Sequence, residues 1–397
     1  MSERILVSDK RGYAVRTVAA AKEIARSELS GWSPLASVVI FGLPEVDDRY
    51  HVWRVPLLAP AGSKVGEIVI DARTGAVQPD RTSAPDAVAA RLAVAPHMAA
   101  PTAKRSRGPI PRSPLTNSVY LGDCRETLAG LPEQSIDLIF TSPPYFNARP
   151  DYSEYEAYAD FLIFMDEVIR AGHRVLAEGR FFVLNVAPVL IRRASRSEAS
   201  HRIAVPFDLH RLFTAPGEDG LPLFEFMEDI IWEKPEGAGW ATNRGRRFSR
   251  DRNPLAYKTV PVTENVLVYR KRTDRLLDWN IRNHDPELVG RSKIADGYET
   301  TNIWRLPPAH DKVHPAPFPQ ELAERVIRYY SFIDDVVCDP FAGKGTVAEA
   351  ALALDRRFLM CETEPTYLAR MQELLTARLG ATGCAQIDWH GLPGPAA

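Results

Sequence analysis

The stretch TSPPY at residues 141–145 ends an apolar run, 136–140, with two successive prolines. Proline has no N–H and a fixed φ, so the predicted strand must end there and the carbonyl groups of the turn lack local donors. Those carbonyls and the Ser142 hydroxyl can accept hydrogen bonds from an amine, and the Tyr145 ring can stack on a nucleobase. Taken alone, the stretch fits a base-binding turn and a purely structural turn about equally well.

A second stretch, VVCDPFAGKGTVA, places Asp339 at the end of an apolar strand and two glycines, Gly343 and Gly345, before a predicted helix. Glycine lets the backbone turn tightly and approach a ligand closely. The first N–H groups of the helix are unpaired and can face that ligand. Glu362 ends the next apolar strand, at a distance suited to accepting hydrogen bonds from ribose hydroxyls.

Several kinds of site could use this glycine turn. A Walker phosphate loop is excluded, because Lys344 is followed by Gly345 and its first glycine position is Cys338. The spacing Gly343-x-Gly345-x-x-Ala348 matches a dinucleotide-binding fingerprint, and a purely structural turn is also open. The remaining candidate is a site for S-adenosylmethionine, whose cationic sulfonium suits the acidic Asp339 better than a pyrophosphate would.

The elements around these motifs predict an α/β fold, with a Rossmann-like, mostly parallel sheet and helices on both faces. Strand-like and helical segments alternate from about residue 116 onward, which is typical of such sheets. Residues 1–95 are predicted to form a small α+β N-terminal domain of unknown role, and 96–115 a proline-rich basic linker. The main domain is predicted at 116–380, with an irregular region inserted at about 190–310, and a flexible tail at 381–397.

Composition restricts the class of protein. Hydrophobic residues make up 45% and charged residues 25%, as in ordinary globular proteins, and no run of 18 apolar residues predicts a membrane span. The N-terminus lacks the apolar core of a signal peptide. The four cysteines are far apart, which argues against a disulfide framework or a zinc site, and no metal site is predicted. We therefore expect a cytoplasmic location.

The two motifs together resemble those of the β-class amino-methylating DNA methyltransferases, which methylate cytosine at N4 or adenine at N6. The catalytic motif of that family is [DNS]PP[YFW], its cofactor motif is FxGxG, and here they occur in the permuted order of the β class. The segments IIWEKP, TENVLVYRK and TNIWRLPP are also similar, and the resemblance covers about 118–375. It implies the fold of methyltransferases that use S-adenosylmethionine. It implies catalytic roles for Ser142, Pro143, Pro144 and Tyr145. It implies cofactor binding by Asp123, Thr141, Asp339, Pro340, Phe341, Ala342, Gly343, Gly345, Thr346 and Glu362.

The resemblance further implies direct methyl transfer to the exocyclic amine of a flipped base, without a covalent intermediate, so Cys124 need not act as a nucleophile. A serine at the first motif position is more typical of cytosine-N4 enzymes, while adenine-N6 activity remains the alternative. The chain departs from the family at Lys344, inside FxGxG, and at Glu178, where a Gly-Gly turn is usual.

Double-stranded DNA is the expected partner. The net charge of −2 gives no overall attraction to a polyanion, so local arginine clusters have to supply it. The inserted region at about 190–310 is expected to recognise the DNA target. The predicted DNA-binding cluster lies within it and comprises Arg244, Arg246, Arg247, Arg250 and Arg252. The sequence leaves open a homodimer and a cognate restriction endonuclease. It also leaves two rival functions, an NAD-dependent oxidoreductase and an inactive DNA-binding module.

Overall fold

A computed structural model describes the backbone of most of the chain in two compact units, Met1–Arg107 and Gly108–Ala397. The described residues are 12–60, 62–94, 112–144, 146, 157–191, 201–217, 219–235, 261–273, 275–309 and 318–391. The linker predicted at 96–115 lies mostly outside these ranges. Its last residues, 112–115, belong to the second unit, where Arg357 donates a hydrogen bond to the carbonyl oxygen of Ser113 at 3.0 Å.

The first unit is a small α+β fold built on an antiparallel sheet. Its elements are α1 (Val18–Ser30), β1 (Ile40–Phe41), β2 (Glu45–Asp47), β3 (Val52–Leu58), β4 (Lys64–Asp71) and α2 (Pro85–Val94). Strand β3 pairs with the other three strands. Thr17 is the N-cap of helix α1, and its hydroxyl accepts the N–H of Ala20 and so satisfies one of the free helix donors. Its apolar face, including Ala25 and Leu29, joins the core of this unit.

The second unit contains a nine-stranded sheet in the order β12-β10-β11-β7-β6-β13-β14-β5-β15. Within the described residues, only β11 runs against its neighbours, so the predicted mostly parallel sheet is confirmed. Its strands are β5 (Ser118–Leu121), β6 (Ile136–Thr141), β7 (Leu176–Val186), β10 (Phe224–Glu233), β11 (Thr263–Lys271), β12 (Ile303–Arg305), β13 (Val336–Asp339), β14 (Arg357–Glu362) and β15 (Asp388–His390). A separate hairpin consists of β8 (Val189–Ile191) and β9 (His201–Ile203).

Helices cover both faces of the sheet, as predicted. One face packs against α3 (Cys124–Gly130), α4 (Tyr158–Val175) and α5 (Val205–Phe213). The other packs against α8 (Gln320–Tyr330), α9 (Thr346–Ala353) and α10 (Pro365–Cys384). Side chains that alternate along β14 serve the two cores in turn: Phe358 and Met360 face one, Leu359 and Cys361 the other. The sheet is therefore buried on both faces, which explains its continuous apolar strands.

The structure corrects the predicted bounds of two segments, the inserted region and the flexible tail. The region 190–310 is not a simple insertion, because β10, β11 and β12 belong to the central sheet, and short helices α6 (Asp278–Asn283) and α7 (Pro286–Arg291) follow β11. Strands β10 and β11 pair antiparallel, so the regular succession of parallel strands is lost there.

The predicted flexible tail, 381–397, is also wrong for 381–391. These residues complete α10 and form β15, which pairs in parallel with β5 and buries Cys384 and Ile387. Most of the glycine and proline content that suggested a tail lies after Trp389. No helix in the described part of the chain is long and apolar enough to cross a membrane.

Candidate active site

The two predicted motifs meet at one edge of the sheet. Strands β6 and β13 are parallel neighbours, so TSPP and DPFAGKG leave the sheet side by side. The hydroxyl of Thr141 donates a hydrogen bond to Oδ1 of Asp339 at 2.6 Å, and both side chains are buried. The carboxyl ends of parallel strands are where ligands bind in open α/β sheets. The structure therefore joins the two motifs across 198 residues of sequence.

The carboxyl group of Asp339 is the main electrostatic feature of this edge. It accepts a second hydrogen bond, from the backbone N–H of Phe341 at 3.0 Å. The pKa of Asp339 is raised to about 7, mainly by burial and to a lesser extent by the nearby Glu362, against the two hydrogen bonds, which lower it. Both donors are neutral and leave the negative charge uncompensated. A cationic ligand beside Asp339 would stabilise its charged form, while a pyrophosphate would oppose it.

The loop after Asp339 is tied to the neighbouring strand. Its Ala342 N–H donates to the carbonyl oxygen of Cys361 in β14 at 2.9 Å. Gly343 and Gly345 have φ values of +53° and +90°, in the left-handed region that favours glycine. A Cβ on Gly345 would also come within 2.5 Å of Cγ of Met371. The backbone therefore turns sharply into α9, and only a glycine fits the second position without rearrangement.

Glu362 is held by backbone donors at the end of β14. Its Oε1 accepts the N–H groups of Thr363 and Glu364, and its Oε2 accepts that of Gly343 at 2.7 Å. Burial raises the pKa of Glu362, and these N–H groups lower it. A carboxylate has about four lone-pair positions, so Oε2 retains one for a ligand hydroxyl.

Asp123 lies next to this strand end, as the N-cap of α3. The N–H of Gly122 donates to the carbonyl oxygen of Glu362 at 2.9 Å. The Asp123 carboxylate accepts the Arg125 N–H and pairs with its guanidinium at 2.6 Å, which lowers the pKa of Asp123. Arg125 in turn lies 4.9 Å from the centroid of the Phe164 ring. Sequence reasoning did not single out Arg125, although its position two residues after an N-cap was a usable signal.

Aromatic side chains line the same edge. The Phe341 and Phe164 ring centroids are 5.8 Å apart, and Phe146, just after the proline turn, lies edge-on to Tyr158 at 5.2 Å. Of the remaining predicted residues, four are buried: Pro143, Pro340, Ala342 and Thr346. Pro144 is partly buried. Tyr145 and the five arginines of the predicted DNA-binding cluster lie outside the described residues.

A buried polar network behind Ser142 was not predicted. The amide Nδ2 of Asn185 lies 3.4 Å from Oγ of Ser142 and donates to Glu264 at 2.8 Å. Glu264 also accepts a hydrogen bond from Lys234. The available signal was a polar residue interrupting an apolar strand near its end, as in FFVLNV and TENVLVY.

These features fit a nucleoside ligand that carries a positive charge. A buried carboxyl group of raised pKa suits the charge, a tight glycine turn allows close approach of the backbone, and a strand-end carboxylate with one free lone pair suits a ribose hydroxyl. S-adenosylmethionine is such a ligand, because it carries a positively charged sulfur and a ribose. When bound, it supplies a methyl group on that sulfur. The residues that would hold it are those around Asp339, Gly343 and Glu362.

Comparison with known proteins gives a consistent result. A family model described as DNA methylase, for the N6/N4 class, matches residues 136–373, which is more than half of the chain. The type II methyltransferase M.ScaI of Streptomyces caespitosus is 28% identical over 260 residues, which cover 63% of this chain and 78% of that protein. The type II methyltransferase M.BglI of Bacillus subtilis is 26% identical over 299 residues, covering 64% and 83%.

A solved structure is also similar to this chain. It is that of a candidate DNA modification methylase from Thermus thermophilus, complexed with S-adenosyl-L-methionine. The identity is 28% and the TM-score 0.52, with 69% of this chain and 99% of that chain covered. The motifs, their junction at the sheet edge and the family match agree: the chain belongs to the amino-methylating DNA methyltransferases of the N4-cytosine/N6-adenine class, which use S-adenosylmethionine as methyl donor.

Proposed function

We propose that the protein is a site-specific methyltransferase that methylates the exocyclic N4 amine of cytosine in double-stranded DNA. The observation that carries the proposal is the hydrogen bond between Thr141 and Asp339, which holds the Ser-Pro-Pro turn beside the glycine-rich loop. An amine held by the first motif would then lie next to a methyl donor held by the second.

The proposed roles follow from the chemistry of each group. The Ser142 hydroxyl and the Pro143 carbonyl accept the N–H groups of the target amine and direct its lone pair. The amine nitrogen would take the methyl group that S-adenosylmethionine supplies, the sulfur would keep the electron pair of the carbon–sulfur bond as a neutral thioether, and the methylated amine would pass its extra proton to solvent. The chain contributes mainly orientation and electrostatics to this step, with no covalent intermediate. Tyr145 stacks on the flipped base.

Cofactor binding is assigned to the residues around the glycine turn. Asp339 faces the cationic part of the cofactor and Glu362 accepts from its ribose, while Asp123 and Phe341 border the adenine side. Thr141 supports Asp339, and the rest of the turn shapes the backbone: Pro340, Ala342, Gly343, Gly345 and Thr346. Phosphates of the DNA are assigned to Arg244, Arg246, Arg247, Arg250 and Arg252.

The choice of cytosine is supported by Ser142, since a serine in this position is typical of the cytosine-N4 enzymes that the sequence resembles. A hydroxyl can accept a hydrogen bond from the amine of either base, so the product has to be identified directly. The purified protein is incubated with S-adenosylmethionine and unmethylated double-stranded DNA, and the DNA is digested to nucleosides for mass spectrometry. We expect N4-methylcytosine. N6-methyladenine would assign the protein to the adenine enzymes, and binding of DNA without any methylated product would indicate an inactive DNA-binding module.

A further inference from the structure

Three buried polar side chains form a chain that ends at the catalytic turn. They lie on neighbouring strands: Lys234 directly after β10, Glu264 in β11 and Asn185 in β7. Their exposed fractions are 8%, 3% and 2%. Charged side chains are almost never this buried unless they are paired, and the pairing here leads across the sheet toward Ser142.

The charged pair at the start of the chain determines what the carboxylate can do. Lys234 donates to Oε1 of Glu264, and its Nζ lies 4.2 Å from the centroid of the Trp232 ring. An ammonium group has donors only, and a carboxylate paired with it has acceptors only. Glu264 therefore presents its second oxygen, Oε2, to Asn185 as an acceptor.

This acceptor fixes the orientation of the Asn185 amide. Only Nδ2 can donate to Oε2 of Glu264, at 2.8 Å, and its second hydrogen is then available to Oγ of Ser142 at 3.4 Å. The amide oxygen of Asn185 is buried and has no hydrogen-bond partner among the residues that the structure describes. The opposite orientation would place that oxygen against the carboxylate. Glu264 thus orients the Asn185 amide, although this orientation leaves the buried amide oxygen without a hydrogen bond among the described residues.

We propose that Lys234, Glu264 and Asn185 are positioning residues that orient the Ser142 hydroxyl for methyl transfer. This inference rests on the proposed function of the Ser-Pro-Pro turn. A serine hydroxyl has two acceptor lone pairs and a proton that rotates to suit its surroundings. A hydrogen bond from Asn185 occupies one lone pair and leaves the other for the amine of the base, so the hydroxyl no longer has to be ordered when the base arrives.

The variant Glu264→Gln tests the direction of the chain. The glutamine keeps the shape of the side chain, but if its oxygen stays with Lys234, its NH₂ group faces Asn185. The Asn185 amide must then turn over, and its N–H group no longer points to Ser142. We expect kcat to fall about tenfold, the effect of one hydrogen bond. The dissociation constants for S-adenosylmethionine and DNA should stay within about twofold. Asn185→Ala removes the donor itself and should have the same effect, so it provides a second test.

Asn265→Ala is the matched control. Asn265 is the next residue of β11, and its amide also donates to a carboxylate, that of Asp229, at 3.1 Å. It lies on the same strand as Glu264, and the structure describes no hydrogen bond between its side chain and Ser142. We expect its kcat to stay within about twofold of the wild-type value, whatever its effect on the melting temperature.

The double variant Glu264→Gln/Asn185→Ala separates positioning from a general loss of structure. Because Glu264 acts through Asn185, the double variant should lose about tenfold in kcat, no more than either single variant. A loss near a hundredfold, or wild-type rates in both single variants, would overturn the inference. If the wild-type protein itself methylates no DNA, the proposed function fails instead, so the two failures are distinguishable.

Discussion

Replacing Asp339 with asparagine separates the two effects of its buried carboxyl group, one on stability and one on cofactor binding. Asparagine has nearly the same shape, and its Oδ1 can still accept from Thr141 and from the Phe341 N–H. It lacks the charge. We therefore expect the variant to fold, to be more stable than the wild-type protein at pH 8, and to bind S-adenosylmethionine more weakly.

The gain in stability follows from the pKa of Asp339. Burial raises it from 3.8 to about 7. The folded protein therefore holds this proton more tightly than the unfolded chain, and its stability falls as the pH rises from about 4 to about 7. Three pKa units at about 1.36 kcal/mol each set an upper value of roughly 4 kcal/mol. Allowing about 1 kcal/mol for altered hydrogen bonds, we expect Asp339→Asn to gain about 2–3 kcal/mol at pH 8.

The cofactor responds to the same proton in the opposite direction. A cation bound beside Asp339 favours its charged form, so binding below about pH 7 has to release the proton. The affinity of the wild-type protein should fall about tenfold per pH unit below 7, which makes it roughly tenfold weaker at pH 6 than at pH 8. Thr141→Val removes a hydrogen bond that lowers the pKa of Asp339, and should shift this dependence to higher pH.

Isothermal titration calorimetry at pH 6, 7 and 8 measures the affinity for S-adenosylmethionine and the number of protons released on binding. In buffers of different ionisation enthalpy, binding at pH 7 should release about half a proton from the wild-type protein. Asp339→Asn should release none from this group, and urea denaturation at pH 8 should give its stability. A wild-type affinity that is constant from pH 6 to pH 8 would refute the reasoning. An equal slope in Asp339→Asn would also refute it and would point to Glu362 as the titrating group.

Two further predictions concern stability alone. Gly345→Ala adds a Cβ at a positive φ and a close contact, so it should lower the free energy of unfolding by about 1–3 kcal/mol. Gly130→Ala, where a Cβ meets nothing within 4 Å, is the control, and equal urea midpoints would contradict the argument. Arg180→Met breaks a buried ion pair with Asp335 at the opposite edge of the sheet and should cost about 3–5 kcal/mol. Removing the exposed Arg282, by contrast, should cost about 1 kcal/mol or less.

Much of this site was predictable because its motifs are local. A strand ended by two prolines, and a second ended by an acid and a glycine turn, each follow from a few consecutive residues. The resemblance of the two motifs to those of the amino-methylating DNA methyltransferases assigned Ser142 and Asp339 to the same site before their strands were known to be neighbours.

The missed features depend on residues that are distant in sequence. Asn185 and Glu264 are 79 positions apart, and each alone is one polar residue within an apolar strand. Their pairing requires the antiparallel register of β7 and β11, which has no local signal. In the same way, the pairing of β15 with β5 overrides the glycine-rich composition that predicted a loose end. Tertiary pairing decided both cases.

The hydrogen bond between Thr141 and Asp339 also has a consequence for folding kinetics. It closes a loop of 198 residues, and the pairing of β6 with β13 depends on the same closure. Contacts of such high sequence separation lose chain entropy before they gain stability, so they form late and slowly. The two motifs of the site lie at the two ends of that loop. Cofactor binding during refolding should therefore appear only with the slowest phase, after most helices have formed, so binding activity would report the completion of the central sheet.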